Sequence, residues 1–295
     1  MPMRGTLRHK ARVLRIRASQ SVMAAAARLM ATGEPTLHER QIIADLKNEG
    51  VHLTSLERLI TLPGAQAVLE RARELIAREP PSRSAAAWTA RASSIDLSAE
   101  TLLTRLPELY LLGLHERLLR LAQFYLRMPV AYHGAVLRHS FVDRDHAGPR
   151  LWHQDAEDLS VLRVVIYLND VSSGGGPFEY IPRNLGISYK QLPTEVPMTS
   201  ELMEQYVPRR LWRPCVGPTG TVIFADTAKT FHHESLQTVR ERSVVMIGYS
   251  SRHPVSLSLA QAHFPVEQVR AALLRILPLH NHEYVFGWRQ PLGRS

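Results

Sequence analysis

The stretch "SVLRVVIYLNDV", residues 160 to 171, decides the fold class of this chain. Its β-branched and aromatic residues, followed by the turn-forming "SSGGGP", predict a β-strand that ends in a loop. Side chains alternate between the two faces of a strand. One face is therefore continuously apolar: Leu162, Val164, Ile166, Leu168. Arg163 points the other way, and a charge in the middle of a strand must find a partner or reach water.

Similar runs appear along the chain after Met128-Pro129. They are "VAYHGAVLRHSFV" at 130–142, "GTVIFADT" at 220–227 and "RSVVMIGYS" at 242–250. Before them, from about residue 11 to 126, leucine and alanine recur at helical spacing. The sequence therefore predicts an α+β chain with a mainly β core, an antiparallel sandwich or barrel braced by N-terminal helices.

We expect four segments. Residues 1–33 form a basic leader or helix, 34–128 a helical region that packs on the barrel, 129–252 the barrel itself, and 253–295 a C-terminal helical or lid segment. In "DLSAETLL" either Asp96 or Ser98 is expected to cap a helix.

Composition restricts the class of protein. The chain has 295 residues, a net charge of +9 and a single cysteine, Cys215. A single cysteine excludes a cysteine metal cluster and favours a cytoplasmic protein.

Seven basic residues and no acid lie in 1–33, so the charge of the remaining chain is nearly balanced. A solvated basic segment explains this, although an organelle transit peptide has the same composition. No apolar run reaches the roughly 18 residues that a membrane span needs.

The stretch "RLWHQDAEDL", residues 150 to 159, places His153 and Asp155 two residues apart. In an extended chain these side chains project to the same side, so both could reach one metal ion. Taken alone, the pair favours a polar turn at the mouth of a strand over a binding site.

A third group lies far downstream, in "FADTAKTFHHESLQTVRERSVVMIGYS", residues 224 to 250. It contains His232 and His233 and, ten residues beyond His232, Arg242. Two histidines and one carboxylate on one face of iron leave the opposite face open. An arginine fork nearby can pair bidentately with the far end of a dicarboxylic acid.

These residues and their surrounding segments, in this order, resemble the phytanoyl-CoA dioxygenase family of non-haem iron, 2-oxoglutarate-dependent oxygenases. The resemblance covers about residues 110 to 250 and includes "LWHQD", "YLNDVSSGGGPFEYIP", "GPTGTVIFADT" and "RSVVMIGY". It implies a double-stranded β-helix, the cupin-like jelly-roll barrel. The implied cofactor is Fe(II), with 2-oxoglutarate and O2 as cosubstrates.

Carried over to this chain, the resemblance makes His153, Asp155 and His232 the iron ligands. Arg242 would hold the C5 carboxylate of 2-oxoglutarate. His232 is favoured over the neighbouring His233, which is then a flanking and exposed side chain. Arg242 is favoured over Arg240 because it directly precedes an apolar run and so belongs to the strand.

Two further arginines are candidates for the cosubstrate site. The family often has a lysine at the position of Arg163, so this side chain holds either 2-oxoglutarate or an anionic substrate, or it forms a structural salt bridge. Arg138, in "AVLRHSF", is a weaker candidate for the wall of the cosubstrate or substrate site. Glu157 and Asp158 are not needed as ligands and are expected on the loop beyond.

The resemblance implies oxidative decarboxylation of 2-oxoglutarate to succinate and CO2, coupled to oxidation of an unactivated C–H bond. Related halogenating enzymes replace the carboxylate ligand by a small residue, so Asp155 favours hydroxylation or another oxidation. The expected substrate is a small molecule such as a lipid, amino acid or natural-product scaffold, free or tethered to CoA or a carrier protein. The alternatives are a nucleic-acid or protein substrate and a non-catalytic binding barrel. The confinement of the basic charge to 1–33 disfavours nucleic acid.

Overall fold

The computed structural model describes residues 34–59, 64–82, 86–90, 93–142, 148–186, 192, 197–236 and 239–288. The basic segment 1–33 lies outside the described residues, so the predictions made for it stay predictions.

The described residues form nine α-helices, several of them short. They are α1 (Leu37–Asn48), α2 (Ala65–Arg78), α3 (Ala99–Arg105), α4 (Pro107–Leu112), α5 (Glu116–Leu126), α6 (Ser200–Tyr206), α7 (Leu257–Gln261), α8 (Arg270–Ile276) and α9 (His282–Val285). Within the described ranges, none of these helices has the length and apolar character needed to cross a membrane. Short 3-10 helices lie at Gly148–Arg150, Arg183–Leu185, Arg209–Leu211 and Leu279–Asn281.

Ten strands in the described part of the chain form two antiparallel sheets. They are β1 (Val51–Ser55), β2 (Trp88–Ala90), β3 (Ser94–Leu97), β4 (Val130–Ser140), β5 (Leu162–Tyr167), β6 (Phe178–Tyr180), β7 (Arg213–Cys215), β8 (Thr221–Asp226), β9 (His232–Glu234) and β10 (Arg242–Ser251). The large sheet has the order β1-β8-β5-β10-β4-β3-β2, and the small sheet has the order β7-β6-β9.

The two faces of β5 belong to two different cores. Its predicted apolar face, which includes Leu162 and Val164, packs in the large cluster that the helices share with the outer face of the large sheet. Val165 and Tyr167 point the other way and pack against Phe178 of β6 in a cluster between the two sheets. Two facing antiparallel sheets with helices covering one side form a jelly-roll, so the predicted fold class is confirmed.

The front half of the chain is less helical than the spacing of its leucines predicts. β1 adds an edge to the large sheet, with Val51 opposite Ala225 of β8. β3 pairs with β4, where Ser94 lies opposite Ser140, and β2 follows at the other edge. Each of these strands has five residues or fewer, too few to show a period against the longer helices beside them. The segment 34–128 therefore supplies sheet edges as well as helices.

Side-chain hydrogen bonds cap the N-termini of two of these helices. Thr36 and Glu39 form a capping box at α1, since each side chain bonds to the backbone N–H of the other residue. At α3 the cap is Ser98, which accepts a hydrogen bond from Thr101 N. The alternative cap, Asp96, instead lies in β3 and pairs with Arg138.

One buried hydrogen bond joins the helical layer to the large sheet, next to the loop that contains His153 and Asp155. Tyr125 of α5 donates a hydrogen bond of 2.6 Å to the carboxylate of Asp226, the last residue of β8. Asp226 also accepts from Ser160 Oγ at 2.5 Å and from Lys229 Nζ at 2.9 Å. Strand β8 is therefore held at its end from three directions.

We expect Tyr125→Phe to lower the free energy of unfolding by about 1–2 kcal/mol, because it removes one hydrogen bond to a carboxylate that keeps other donors. Urea denaturation followed by circular dichroism measures this change. Tyr284→Phe is the matched control, since the Tyr284 hydroxyl accepts a 3.3 Å hydrogen bond from Gln123, which lies in the same helix as Tyr125. This substitution should lower the free energy of unfolding by less than about 0.5 kcal/mol. Equal losses in both variants would contradict a special role for the Tyr125 contact.

Candidate metal centre

The backbone brings His153 and His232 side by side. They form an antiparallel bridge in which His153 N donates to His232 O at 3.0 Å and His232 N donates to His153 O at 3.1 Å. Asp155 N donates to Thr227 O at 2.9 Å, which fixes the loop against the segment after β8. The two stretches that the sequence places far apart thus meet at one point.

The three predicted ligands point their donor atoms at one another. His153 Nε2 lies 3.7 Å and His232 Nε2 lies 3.9 Å from Asp155 Oδ1. One ligand atom from each of the three residues lies within 4.8 Å of the other two. These separations leave a position between the three atoms that a single ion could contact.

Hydrogen bonds on the far side of each imidazole set its orientation. His153 Nδ1 donates to the carbonyl oxygen of Leu151 at 2.7 Å, and His232 Nδ1 donates to that of Thr230 at 3.0 Å. Because a carbonyl oxygen only accepts, the proton of each neutral ring is on Nδ1. Each Nε2 therefore presents a lone pair toward Asp155, as in metal-binding histidines.

The charge states also suit metal binding. Burial and the neighbouring His153 lower the pKa of His232 to about 4, so its ring is neutral at pH 7. Burial alone would raise the pKa of Asp155, but Arg163, His232 and His153 hold it well below its usual range. The carboxylate is therefore ionised, and its Oδ2 is already occupied by Thr227 Oγ1 at 2.6 Å. This leaves Oδ1 for an ion.

Two imidazole nitrogens and one carboxylate oxygen form a donor set that suits a divalent transition metal, including non-haem Fe(II). The hydrogen bonds from the candidate ligands to Leu151, Thr230 and Thr227 are of the kind that orients ligands at such sites. The residues present therefore fit the metal that the resemblance implies.

His233 lies next to His232 but faces the opposite side of β9. It is 4% exposed, so the expectation of an exposed side chain is wrong. Its Nδ1 donates to Arg150 O at 3.1 Å, its Nε2 lies 2.8 Å from Glu179 Oε2, and its ring stacks on Trp152. Both ring nitrogens are therefore engaged away from the three candidate ligands.

Arg163 forms the salt bridge that was one of its two predicted roles. Its Nε lies 3.2 Å from Asp155 Oδ2, and its Nη2 lies 2.6 Å from Glu157 Oε1. Opposite it on β10, a Cβ at Gly248 would collide with Arg163 Nη1, so glycine makes room for the guanidinium. Arg163 therefore supports a candidate ligand, and its role toward 2-oxoglutarate remains a prediction.

Arg242 begins β10 and is 2% exposed, whereas Arg240 lies before the strand and is exposed. Both terminal nitrogens of its guanidinium are engaged within the chain, whereas its Nε is buried without a hydrogen-bond partner among the described residues. Nη2 lies 2.6 Å from Glu234 Oε1, and Nη1 donates to Gly176 O at 2.5 Å. Burial would raise the pKa of Glu234, but Arg242, Arg138 and Arg150 lower it, so this is a buried ion pair.

Arg138 pairs bidentately with Asp96, through Nε at 2.7 Å and Nη2 at 3.0 Å. Both side chains line a cavity of about 490 Å³ beside His153 and Asp155. Its other walls include Glu157, His263, Val136, Met246 and Leu259. Arg242 and Glu234, although both are described, do not belong to this lining. The cavity is within the size range of small-molecule sites.

Several contacts within the candidate site were not predicted. Thr227 bonds Asp155, and His263, from the C-terminal segment, contacts Glu157 and lies 2.6 Å from Arg163 Nη2. Glu157 and Asp158 lie on the predicted loop but are buried. Among the missed residues, only Glu234 carried a usable signal, because it follows His232 by two and so shares its face of the strand.

Solved structures with a similar fold match most of the chain. The α-ketoglutarate-dependent epimerase SnoN from nogalamycin biosynthesis has 16% sequence identity and a TM-score of 0.50, and the match covers 76% of this chain and 88% of that one. EctD from S. alaskensis, solved with 2-oxoglutarate and 5-hydroxyectoine, has 21% identity and a TM-score of 0.52 over 75% and 78%. The carbocyclase SnoK has 18% identity and a TM-score of 0.50 over 75% and 88%.

No family model matches the chain, and no curated protein is significantly similar to it. At the identities found, the likeness to solved structures establishes the shared fold.

Proposed function

We propose that this chain is a non-haem Fe(II)- and 2-oxoglutarate-dependent dioxygenase, related to the phytanoyl-CoA dioxygenase family, that oxidises an unactivated C–H bond of a small molecule. The observation that carries the proposal is the cluster of His153, Asp155 and His232, with both Nε2 atoms and Asp155 Oδ1 free to face one ion. The 2-oxoglutarate-dependent enzymes among the structural neighbours support it.

In this proposal His153, Asp155 and His232 hold the iron, and Arg242 holds the C5 carboxylate of 2-oxoglutarate. Bound iron, with 2-oxoglutarate and O2, would supply the oxidative decarboxylation that releases succinate and CO2 and oxidises the substrate. The presence of Asp155 favours oxygenation over halogenation, which needs the carboxylate position vacant.

The chain's own residues orient these groups. Thr227 and Arg163 hold Asp155 Oδ2, so the carboxylate presents Oδ1 and keeps its negative charge. Backbone carbonyls hold both imidazoles in the tautomer that a metal requires. The cavity beside His153 and Asp155 would hold a substrate next to these candidate ligands. Its mixed apolar and charged walls suit a small molecule with polar groups, as the 5-hydroxyectoine in the EctD structure also suggests.

Spectroscopy of the chelate tests the proposal directly. Anaerobic addition of Fe(II) and 2-oxoglutarate should produce the visible metal-to-ligand charge-transfer band of an iron-bound 2-oxo acid. His232→Ala should abolish the band because it removes one of the two imidazole ligands.

His233→Gln is the matched control. It alters the adjacent histidine but retains a polar group for Arg150 O and Glu179, and it should keep the band. Absence of the band in the wild-type protein would overturn the proposed function, and loss of the band only in His233→Gln would overturn the ligand assignment.

A further inference from the structure

Glu234 is an acidic residue inside the barrel, two residues beyond the candidate ligand His232. Both lie in β9, so their side chains project from the same face of the strand. Glu234 is 7% exposed, and its Oε1 lies 2.6 Å from Arg242 Nη2. Its Oε2 accepts a hydrogen bond from Ser140 Oγ at 3.3 Å. A carboxylate of the chain itself therefore occupies the arginine that the proposed function assigns to the cosubstrate.

Both terminal nitrogens of Arg242 already have partners within the chain, and its buried Nε has none in the described part of it. Its Nη1 donates to Gly176 O at 2.5 Å, so an incoming carboxylate that pairs bidentately with Arg242 through Nη2 shares that nitrogen with Glu234. The two carboxylates would repel each other in a buried site of low dielectric, which favours displacement of Glu234 from Arg242.

Glu234 has a second position within reach. Arg138 Nη1 lies 4.0 Å from Glu234 Oε1, on the strand next to that of Arg242. A small rotation toward Arg138 would keep the carboxylate charged and paired after it leaves Arg242. Ser140, on the same strand as Arg138, would remain beside it.

We propose that Glu234 is an internal competitor for the cosubstrate: its carboxylate occupies Arg242 until the distal carboxylate of 2-oxoglutarate displaces it toward Arg138. Glu234 thereby weakens the affinity for 2-oxoglutarate and leaves the affinity for 2-oxo acids without a second carboxylate unchanged. This inference rests on the proposed function, since it concerns the same Arg242.

The test compares two 2-oxo acids in Glu234→Gln. In anaerobic titrations of the Fe(II)-loaded protein, followed by the charge-transfer band, the variant should bind 2-oxoglutarate about tenfold more tightly than the wild type, because one competing buried charge pair is removed. Binding of 2-oxobutyrate, which lacks the distal carboxylate, should change by less than about twofold. The 2-oxobutyrate titration also reports whether the iron site has remained intact.

Glu241→Gln is the matched control. It removes the same charge one residue before Arg242, but Glu241 is exposed and lies 3.3 Å from His139. Its affinity for 2-oxoglutarate should stay within about twofold of wild type. Glu234→Asp is the second variant, for use if Glu234→Gln does not fold. Its shorter carboxylate competes less well for Arg242, so 2-oxoglutarate should again bind more tightly.

Unchanged or weaker 2-oxoglutarate binding in Glu234→Gln, or in Glu234→Asp where the first variant does not fold, would overturn the inference. So would a wild-type protein that binds 2-oxoglutarate and 2-oxobutyrate equally, because Glu234 would then be a permanent partner of Arg242. A wild-type protein that shows no band with either oxo acid would instead overturn the proposed function.

Discussion

Replacing Arg242 with methionine should lower the free energy of unfolding by about 3 kcal/mol, the lower end of the range for breaking a buried ion pair. The substitution leaves Glu234 buried without its 2.6 Å partner and removes the donor to Gly176 O. The nearby Arg138, at 4.0 Å, compensates part of the lost interaction and keeps the loss from being larger. Urea denaturation of the metal-free protein measures the effect without reference to activity.

A double-mutant cycle separates the interaction energy of the Arg242–Glu234 pair from the effect of each residue alone. Arg242→Met together with Glu234→Met replaces two buried charges with apolar side chains of similar length, so the double variant should recover to within about 1 kcal/mol of wild type. Arg78→Met, which breaks an exposed pair with Glu74 on α2, is the surface control and should cost less than about 0.5 kcal/mol. A double variant that loses the sum of both single effects would show that the two charges are not coupled.

The long strands could be predicted because each carries its own periodic signal. β5 has six residues and β4 has eleven, and both are rich in Val and Leu, with apolar faces. The strands β6, β7 and β9 have three residues each, which is too short for any period. β1 has only two apolar residues, Val51 and Leu53, and is held by pairing with β8, which lies far away in sequence.

The candidate site was likewise predictable only in part. The spacing of His153 and Asp155, with His232 downstream, carries the donor chemistry in residue types that a single sequence shows. The side chains that support Asp155 are set by folding, because Thr227 bonds it from 72 residues away in sequence and His263 contacts the neighbouring Glu157 from 106 residues away. Arg163 shows the limit clearly: the strand pattern indicates that its charge needs a partner, and only the fold identifies Asp155 and Glu157.

Asp155→Ala should weaken divalent metal binding by at least about 100-fold, beyond the range that outer-shell substitutions usually produce. Asp155 supplies the carboxylate oxygen that lies within 4 Å of both candidate imidazole nitrogens. Its removal also leaves the positive charge of Arg163 near the site without one of its two carboxylate partners, which further disfavours a cation. Anaerobic equilibrium titration with Fe(II), repeated with redox-stable Co(II), measures the affinity independently of any substrate.

Glu157→Gln is the control that decides between ligation and charge. Glu157 follows Asp155 by two residues, lines the same cavity and pairs with the same arginine, but it is not one of the three clustered donors. Its substitution removes one negative charge near the site and should weaken metal binding by less than about tenfold. If the two variants lost affinity equally, Asp155 would act only through its charge. If Glu157→Gln alone lost the metal, the carboxylate ligand would be Glu157, and the assignment of Asp155 as a ligand would be wrong.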